Sequence, residues 1–92
     1  LTTKIAVEYN QGWQDKGVGA CIKHFVANDQ EFLRMSVSAE VSEQALREVY
    51  LPPFEAAVKE AKVMSVMTGY NRLNGTYCSE DSWLLTEVLQ II

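Results

Sequence analysis

Apolar residues recur at four-residue spacing near the start of the chain: Ile5, Tyr9 and Trp13. That period predicts a helix over residues 4–16, closed by Gly17 and weakened by Gly12 inside it. The pattern then changes. Val18-Gly19-Ala20-Cys21-Ile22 is short and continuously apolar, the length of a strand buried on both faces, and it ends in the polar pair Lys23-His24. Residues 25–41 read as a long connection punctuated by Asn28-Asp29. Within it Met35, Val37, Ala39 and Val41 alternate with Arg34, Ser36, Ser38 and Glu40, so a short strand or hairpin arm is expected there. A connection this long in a compact domain is usually functional.

Ser42 has the character of an N-cap, with Glu43 in the first turn. Ala45, Leu46, Val49 and Tyr50 then form one apolar stripe. Pro52-Pro53 is expected to interrupt the helix, because Pro52 biases Leu51 away from the α region. Pro53 would open a second helical segment that buries Phe54, Ala57, Val58 and Ala61. Val63-Met64-Ser65-Val66-Met67 predicts a second buried strand, ending in Thr68, Tyr70 and Asn71. Asn74-Gly75 marks a turn. Ser79 or Asp81 caps a last helix whose stripe is Leu84, Leu85, Val88, Leu89 and Ile92.

Buried strands alternating with amphipathic helices imply an α/β fold of parallel strands joined by right-handed crossovers. Two parallel strands cannot stand alone, since their edges need neighbours and both faces need cover. The strand ends His24 and Met67 are 43 residues apart. Eight such units would make a barrel somewhat larger than the ~250 residues typical of that fold. The predicted architecture is therefore a partial TIM-like (β/α)8 barrel of about two βα units. The uncapped terminus Leu89-Gln90-Ile91-Ile92 carries the same expectation, a piece of a larger domain.

Composition narrows the classes. Ninety-two residues, 48% of them apolar and 22% charged, fit one small globular domain. The net charge is −4 and the 8 basic residues are scattered, so nucleic acid is not an expected partner. No apolar run approaches the ~20 residues that cross a bilayer, so no membrane is expected either. Cys21 and Cys78 are too few for a disulfide framework and lack zinc-ligand spacing. Cys21 is expected to pack as a small hydrophobe, and the thiols assign no compartment.

In a parallel barrel the active site lies at the carboxyl ends of the strands. Both strands place polar residues there, Lys23-His24 and Thr68 to Asn71, and the loop with Asn28, Asp29, Glu31 and Arg34 leaves from the same face. Convergent Lys, His, Arg, Tyr and Asn beside aromatic walls suit a polyhydroxylated ligand. Each residue also has a plainer role open to it. His24 could be a satisfied core histidine. Lys23 could lie along apolar surface or form a Schiff base, as in a lysine-dependent aldolase-type barrel. Tyr70 and Met67 could simply pack, as Trp13 and Trp83 are expected to. Asp29 and Glu31 are two apart in one loop, so a structural role, pairing Arg34, fits better than flanking a glycosidic bond.

Several motifs together resemble glycoside hydrolase family 3. The block Lys23-His24-Phe25-Val26-Ala27-Asn28-Asp29-Gln30-Glu31 with Arg34 is similar to that family's Lys-His-Phe…Asn-Asp-x-Glu-x-x-Arg sequence. Ala45-Leu46-Arg47-Glu48-Val49-Tyr50-Leu51-Pro52-Pro53-Phe54 resembles its Leu-Arg-Glu-x-Tyr-Leu-x-Pro-Phe helix. Met67-Thr68-Gly69-Tyr70-Asn71 with Asn74-Gly75 resembles a strand end of the family, and Leu84-Leu85-Thr86 its next helix. Gly12-Trp13-Gln14 also fits. The likeness runs from about Gly12 to Leu89 and is greatest to the β-glucosidase branch. At Gln90-Ile91-Ile92 the chain departs from the family's Arg-x-Glu-Trp-Gly-Phe continuation.

The resemblance implies that residues 1–92 are a fragment of the family's N-terminal barrel domain. It implies a retaining reaction on terminal β-linked sugars, with two carboxylates and no metal or other cofactor. The family's nucleophile lies in a Ser-Asp-Trp motif beyond the last helix and its acid/base in a later domain, so no catalytic carboxylate is expected in this chain. Lys23 and His24 resemble the pair that hydrogen-bonds sugar hydroxyls in the −1 subsite, Arg34 a basic residue of that pocket, and Met67 and Tyr70 residues lining it. The implied partners are a β-glucoside or related carbohydrate, the remainder of the barrel and a following domain. Glucose, xylose, arabinose and N-acetylglucosamine are all used in the family. A non-catalytic carbohydrate-binding chain is the remaining alternative.

Overall fold

The computed structural model describes residues 1–90 apart from Gln30, Glu31 and Arg34. Helix α1 spans Thr2–Asp15, starting two residues and ending one residue earlier than predicted, and Gly17 follows it at φ +81°. Only glycine reaches that conformation without a Cβ penalty. Strand β1 follows at Cys21–Phe25, and β2 is the short pair Ser38–Ala39. Helix α2 begins at Glu43–Ala45, where the Ser42 hydroxyl accepts the Ala45 N–H at 3.1 Å. It widens into a π-helical turn, Leu46–Tyr50, and α3 follows at Pro52–Lys59. Strands β3 (Ser65–Thr68), β4 (Arg72–Leu73) and β5 (Thr76–Tyr77) lead to a 3-10 turn at Cys78–Glu80. A second π-helical segment, Trp83–Leu89, closes the described chain.

β1 and β3 pair in parallel, as the alternation of strands and helices requires. The register sets Cys21 opposite Ser65, Ile22 opposite Val66 and Lys23 opposite Met67. It then slips, so that Phe25 meets Thr68 and His24 has no opposite residue. The peptide bonds Lys23–His24 and Phe25–Val26 are both cis. A second sheet, unforeseen in the sequence, joins β2 in parallel to β4, and β4 in antiparallel to β5. Its hairpin is the two-residue turn Asn74-Gly75, at φ +49° and +95°. Two successive positive φ values are what a tight hairpin demands and what Asn-Gly supplies.

Several expectations need correction. β1 starts three residues into the apolar run Val18–Ile22, because Gly17 to Ala20 are spent turning from α1, and Lys23-His24 lie within the strand rather than after it. Neither strand is buried on both faces. Cys21, Lys23, Ser65 and Met67 share an exposed face, so Cys21 does not pack as a core hydrophobe. β3 likewise starts two residues into the predicted run. The Ile5–Tyr9–Trp13 stripe is exposed, while Asn10 is the buried side chain of α1, which lies against α3. Periodicity says which residues share a helix face, not which face the rest of the chain covers. At the prolines, Leu51 stays helical (φ −80°, ψ −34°) and α3 starts on Pro52. The chain accommodates the ring by widening the preceding turn, with the Leu51 N–H bonded to the Leu46 carbonyl at 2.7 Å. At the last helix Asp81, not Ser79, accepts the Leu84 N–H, at 3.1 Å. Ile92 lies outside the described residues.

The core sits between the covered face of β1 and the helices. Phe25 meets Phe54 edge to face, with centroids 5.1 Å apart, and Leu46, Leu51, Ala57, Leu84 and Val88 close around them. Two carboxamides tie this core to the sheet. At the amino ends of the strands, Gln14 donates to the Ala61 carbonyl at 2.6 Å and accepts the Met64 N–H at 3.1 Å. At the carboxyl ends, buried Asn71 donates to the carbonyls of Val26 (3.2 Å) and Ala27 (3.4 Å). Cys78 is fully buried beside it, its thiol 3.6 Å from the Val26 carbonyl.

A Cβ on Gly69 would collide with Asn71 Oδ1 and press on Asn28 Cβ. Gly69→Ala should therefore cost about 1–3 kcal/mol, read as a lower urea midpoint; an unchanged midpoint would contradict this close approach. Burial, aided by the charge of Asp81, pushes the Cys78 thiol above its ordinary pKa. The folded state then holds the proton more tightly than the unfolded chain, so this contribution to stability is whole below the ordinary thiol pKa and is lost as pH rises through the raised value. Iodoacetamide at pH ~8 should spare Cys78 until denaturant is added, with exposed Cys21 as the internal control; peptide masses read the result.

Candidate functional site

The candidate residues stand where the two parallel strands end. Lys23 and Met67 are cross-strand neighbours on the exposed face, set there by the register. Met67 is 48% exposed and Tyr70, two residues beyond β3, is 51% exposed. His24 sits at the slip in register, half-buried. Arg34 lies outside the described residues, as does Glu31, so the expected pairing of Asp29 and Glu31 with Arg34 does as well. Asp29 itself is exposed.

A cavity of about 590 Å³ opens along the flank of β1. Lys23, His24, Asn28 and Asp29 form its polar side, and Tyr9 and Phe54 are among its apolar walls. Its size lies within the range of small-molecule sites. Met67 and Tyr70 are not on its wall. The candidates thus divide: Lys23 faces both the cavity and the exposed sheet face, while His24 belongs to the first and Met67 to the second.

A second cavity, about 340 Å³, shares Asn28 and Asp29 and is walled by residues 37–41 and Asn71. Asn28 stands between the two. Its Oδ1 is buried and accepts no hydrogen bond from the described residues, although burying such a group costs free energy. Lone buried carboxamides of this kind cannot be picked out of a sequence, since Asn at a loop start reads equally well as a turn residue. Asn71 is the other residue whose weight was hidden. It is one of several polar groups after β3 in the sequence, and only the fold sets it under the Val26–Ala27 backbone.

Chemically the strand ends offer an ammonium group, an imidazole, a phenol and amides around an open surface. That set can donate to and accept from hydroxyls. Among the described residues no group of three or more His, Cys, Asp and Glu side chains could hold a metal ion, and no helix is long and apolar enough to cross a membrane. Lys23 is exposed among the described residues.

Comparison with known proteins places this arrangement. The family model described as "Glycosyl hydrolase family 3 N terminal domain" matches residues 1–91. The chain is 59% identical over 90 residues to a β-glucosidase of Rhizobium radiobacter, covering 98% of this chain and 11% of the relative. It is 48% identical over 85 residues to an exo-α-(1→6)-L-arabinopyranosidase of Bifidobacterium longum, covering 92% of this chain and 11% of that protein. Its fold superposes on β-glucosidase 3B of Thermotoga neapolitana, solved in complex with α-D-glucose, with a TM-score of 0.91 and 57% identity, over 97% of this chain and 12% of that one. The chain spans about a ninth of the length of these curated relatives. The mixed α/β arrangement seen here is that of the matching part of the Thermotoga neapolitana structure, and by the match over residues 1–91 this chain belongs to the N-terminal domain family of glycosyl hydrolase family 3.

Proposed function

We propose that this chain is part of the N-terminal barrel domain of a retaining β-glucosidase-type hydrolase, and that it supplies one side of the −1 sugar subsite. The observation that carries the reading is the parallel register that stands Lys23 against Met67 at the carboxyl ends of β1 and β3. The carboxyl ends of parallel strands are where barrel enzymes build their sites, and the remaining strands of the barrel would cover the exposed sheet face. In this reading Lys23 and His24 hold sugar hydroxyls, Arg34 adds a cationic donor, and Met67 and Tyr70 wall the ring. A charged donor on a hydroxyl is worth about 1.5–3 kcal/mol, enough to fix the ring while the chemistry proceeds elsewhere.

That chemistry needs a nucleophile and an acid about 5–5.5 Å apart on either side of the glycosidic bond. Both would come from the protein outside these residues, so the chain contributes binding and orientation. A β-glucoside fits the named function of the Rhizobium radiobacter relative, and an L-arabinopyranoside fits that of the Bifidobacterium longum one. The β-glucosidase names of the relatives favour this reading over a lysine-dependent aldolase.

The test exchanges the matching segment of the Rhizobium radiobacter enzyme for this chain. The chimaera should cleave an aryl β-glucoside, and Lys23→Ala or His24→Ala should lower its kcat/KM by about 10- to 100-fold. A folded but inactive chimaera, or full activity in both variants, would overturn the assignment, as would borohydride trapping of a carbonyl substrate on Lys23. The purified 92-residue chain should release no aglycone by itself, and steady turnover by it would place the catalytic carboxylates here after all.

A further inference from the structure

The chain turns sharply just past the end of β1. Ala27 sits at φ +59°, in the left-handed region that a residue with a Cβ enters only at a cost. Such a conformation persists where its surroundings over-determine it. One buried side chain meets that need. Asn71, 1% exposed, donates from Nδ2 to the Val26 carbonyl at 3.2 Å and to the Ala27 carbonyl at 3.4 Å. These carbonyls belong to the two peptide groups that flank Ala27. The same nitrogen donates to the Arg72 carbonyl at 3.0 Å, so its two hydrogens are shared among three acceptors. The Gly69 N–H adds a bond to the Phe25 carbonyl at 2.8 Å, and the Cys78 N–H holds the Asn71 carbonyl at 3.2 Å.

This clamp joins the two strand ends that carry the candidate residues. His24 lies two residues before Val26, with Lys23 beside it in the chain. Tyr70 is bracketed by Gly69 and Asn71, the two residues whose donors hold the end of β1. The turn at Ala27 also brings the chain back onto its own wall. Lys23 and His24, which precede it, line the same cavity as Asn28 and Asp29, which follow it. Asn71 itself borders the smaller cavity and spends its donors on backbone.

We propose that Asn71 is a positioning residue for sugar binding: by holding the left-handed turn at Ala27, it sets Lys23 and His24 at the end of β1 in fixed relation to Tyr70 at the end of β3. The inference rests on the proposed glucosidase reading. Gln14 ties the same two strands at their amino ends, away from the candidate residues. The two carboxamides therefore share a structural task, and only Asn71 has a kinetic one.

The experiment compares the two ties in the chimaera, with an aryl β-glucoside as substrate and each assay run below the melting temperature of the variant. Both Asn71→Ala and Gln14→Ala should lower that melting temperature, since each strands backbone groups without a partner. Asn71→Ala should also lower kcat/KM by about 10- to 100-fold, whereas Gln14→Ala should leave it unchanged. Asn71→Ser keeps one donor on a shorter stem; it should give a smaller loss of the same kind, and it carries the test where Asn71→Ala does not fold. Asn71→Ala combined with His24→Ala should lose clearly less than the product of the single losses, because positioning is worthless once the positioned group is gone. A kcat/KM unchanged by both Asn71 variants, while His24→Ala still loses activity, would overturn the inference and leave the pocket reading standing. So would an equal kinetic loss in Gln14→Ala, or fully multiplicative losses in the double variant, since either would mean that Asn71 acts on the fold in general. If neither Lys23→Ala nor His24→Ala mattered, the pocket reading itself would fall and the inference with it.

Discussion

The parallel pairing of β1 with β3 is the constraint on which the rest of this structure depends. A parallel pair has no turn of its own to set its register, so side chains from elsewhere must do so. Gln14 does this at the amino ends, bridging α1 to the Ala61 carbonyl and the Met64 N–H. Asn71 does it at the carboxyl ends, from beneath the Val26–Ala27 backbone. Between these two carboxamides the register is fixed, and with it the neighbourhood of Lys23 and Met67. A slip of one residue would turn Lys23 toward the helices and Ile22 outward.

The core follows from the same constraint. With the sheet held, Ile22 and Phe25 point to the helical side, where Phe54, Leu46 and Leu84 close over them. The opposite face stays open and carries Cys21, Lys23, Ser65 and Met67. A face of that kind suits ligand binding or cover by further strands, and the proposed barrel uses it for both. The small second sheet has a different task. It anchors the connection after β1, turning a long loop into a braced wall beside the strand ends.

Much of this was legible in the sequence because it depends on local rules. The Ser42 cap, the Asn74-Gly75 turn and the stop at Gly17 each follow from the backbone needs of a few adjacent residues. The element order and the parallel strands follow from hydrophobic period and run length. The strand starts were misplaced because an apolar run does not say how many of its residues are consumed in leaving the preceding helix. The outward Ile5–Tyr9–Trp13 stripe was misread because period gives a face and not its partner.

The candidate site divides along the same line. The amino-acid sequence by itself determined the residue types at the strand ends, the order of elements that brings them to one edge, and membership of the family, since these are written in local patterns and motif spacing. Only the tertiary structure decided that Lys23 faces Met67, that Asn28 Oδ1 is buried, and that Arg72, Asn74 and Tyr77 are spent on holding a loop. The physical reason is separation along the chain. Gln14 and Met64 are 50 residues apart and Asn71 and Val26 are 45 apart, and a hydrogen bond across such a distance leaves no periodic trace in the residues that make it.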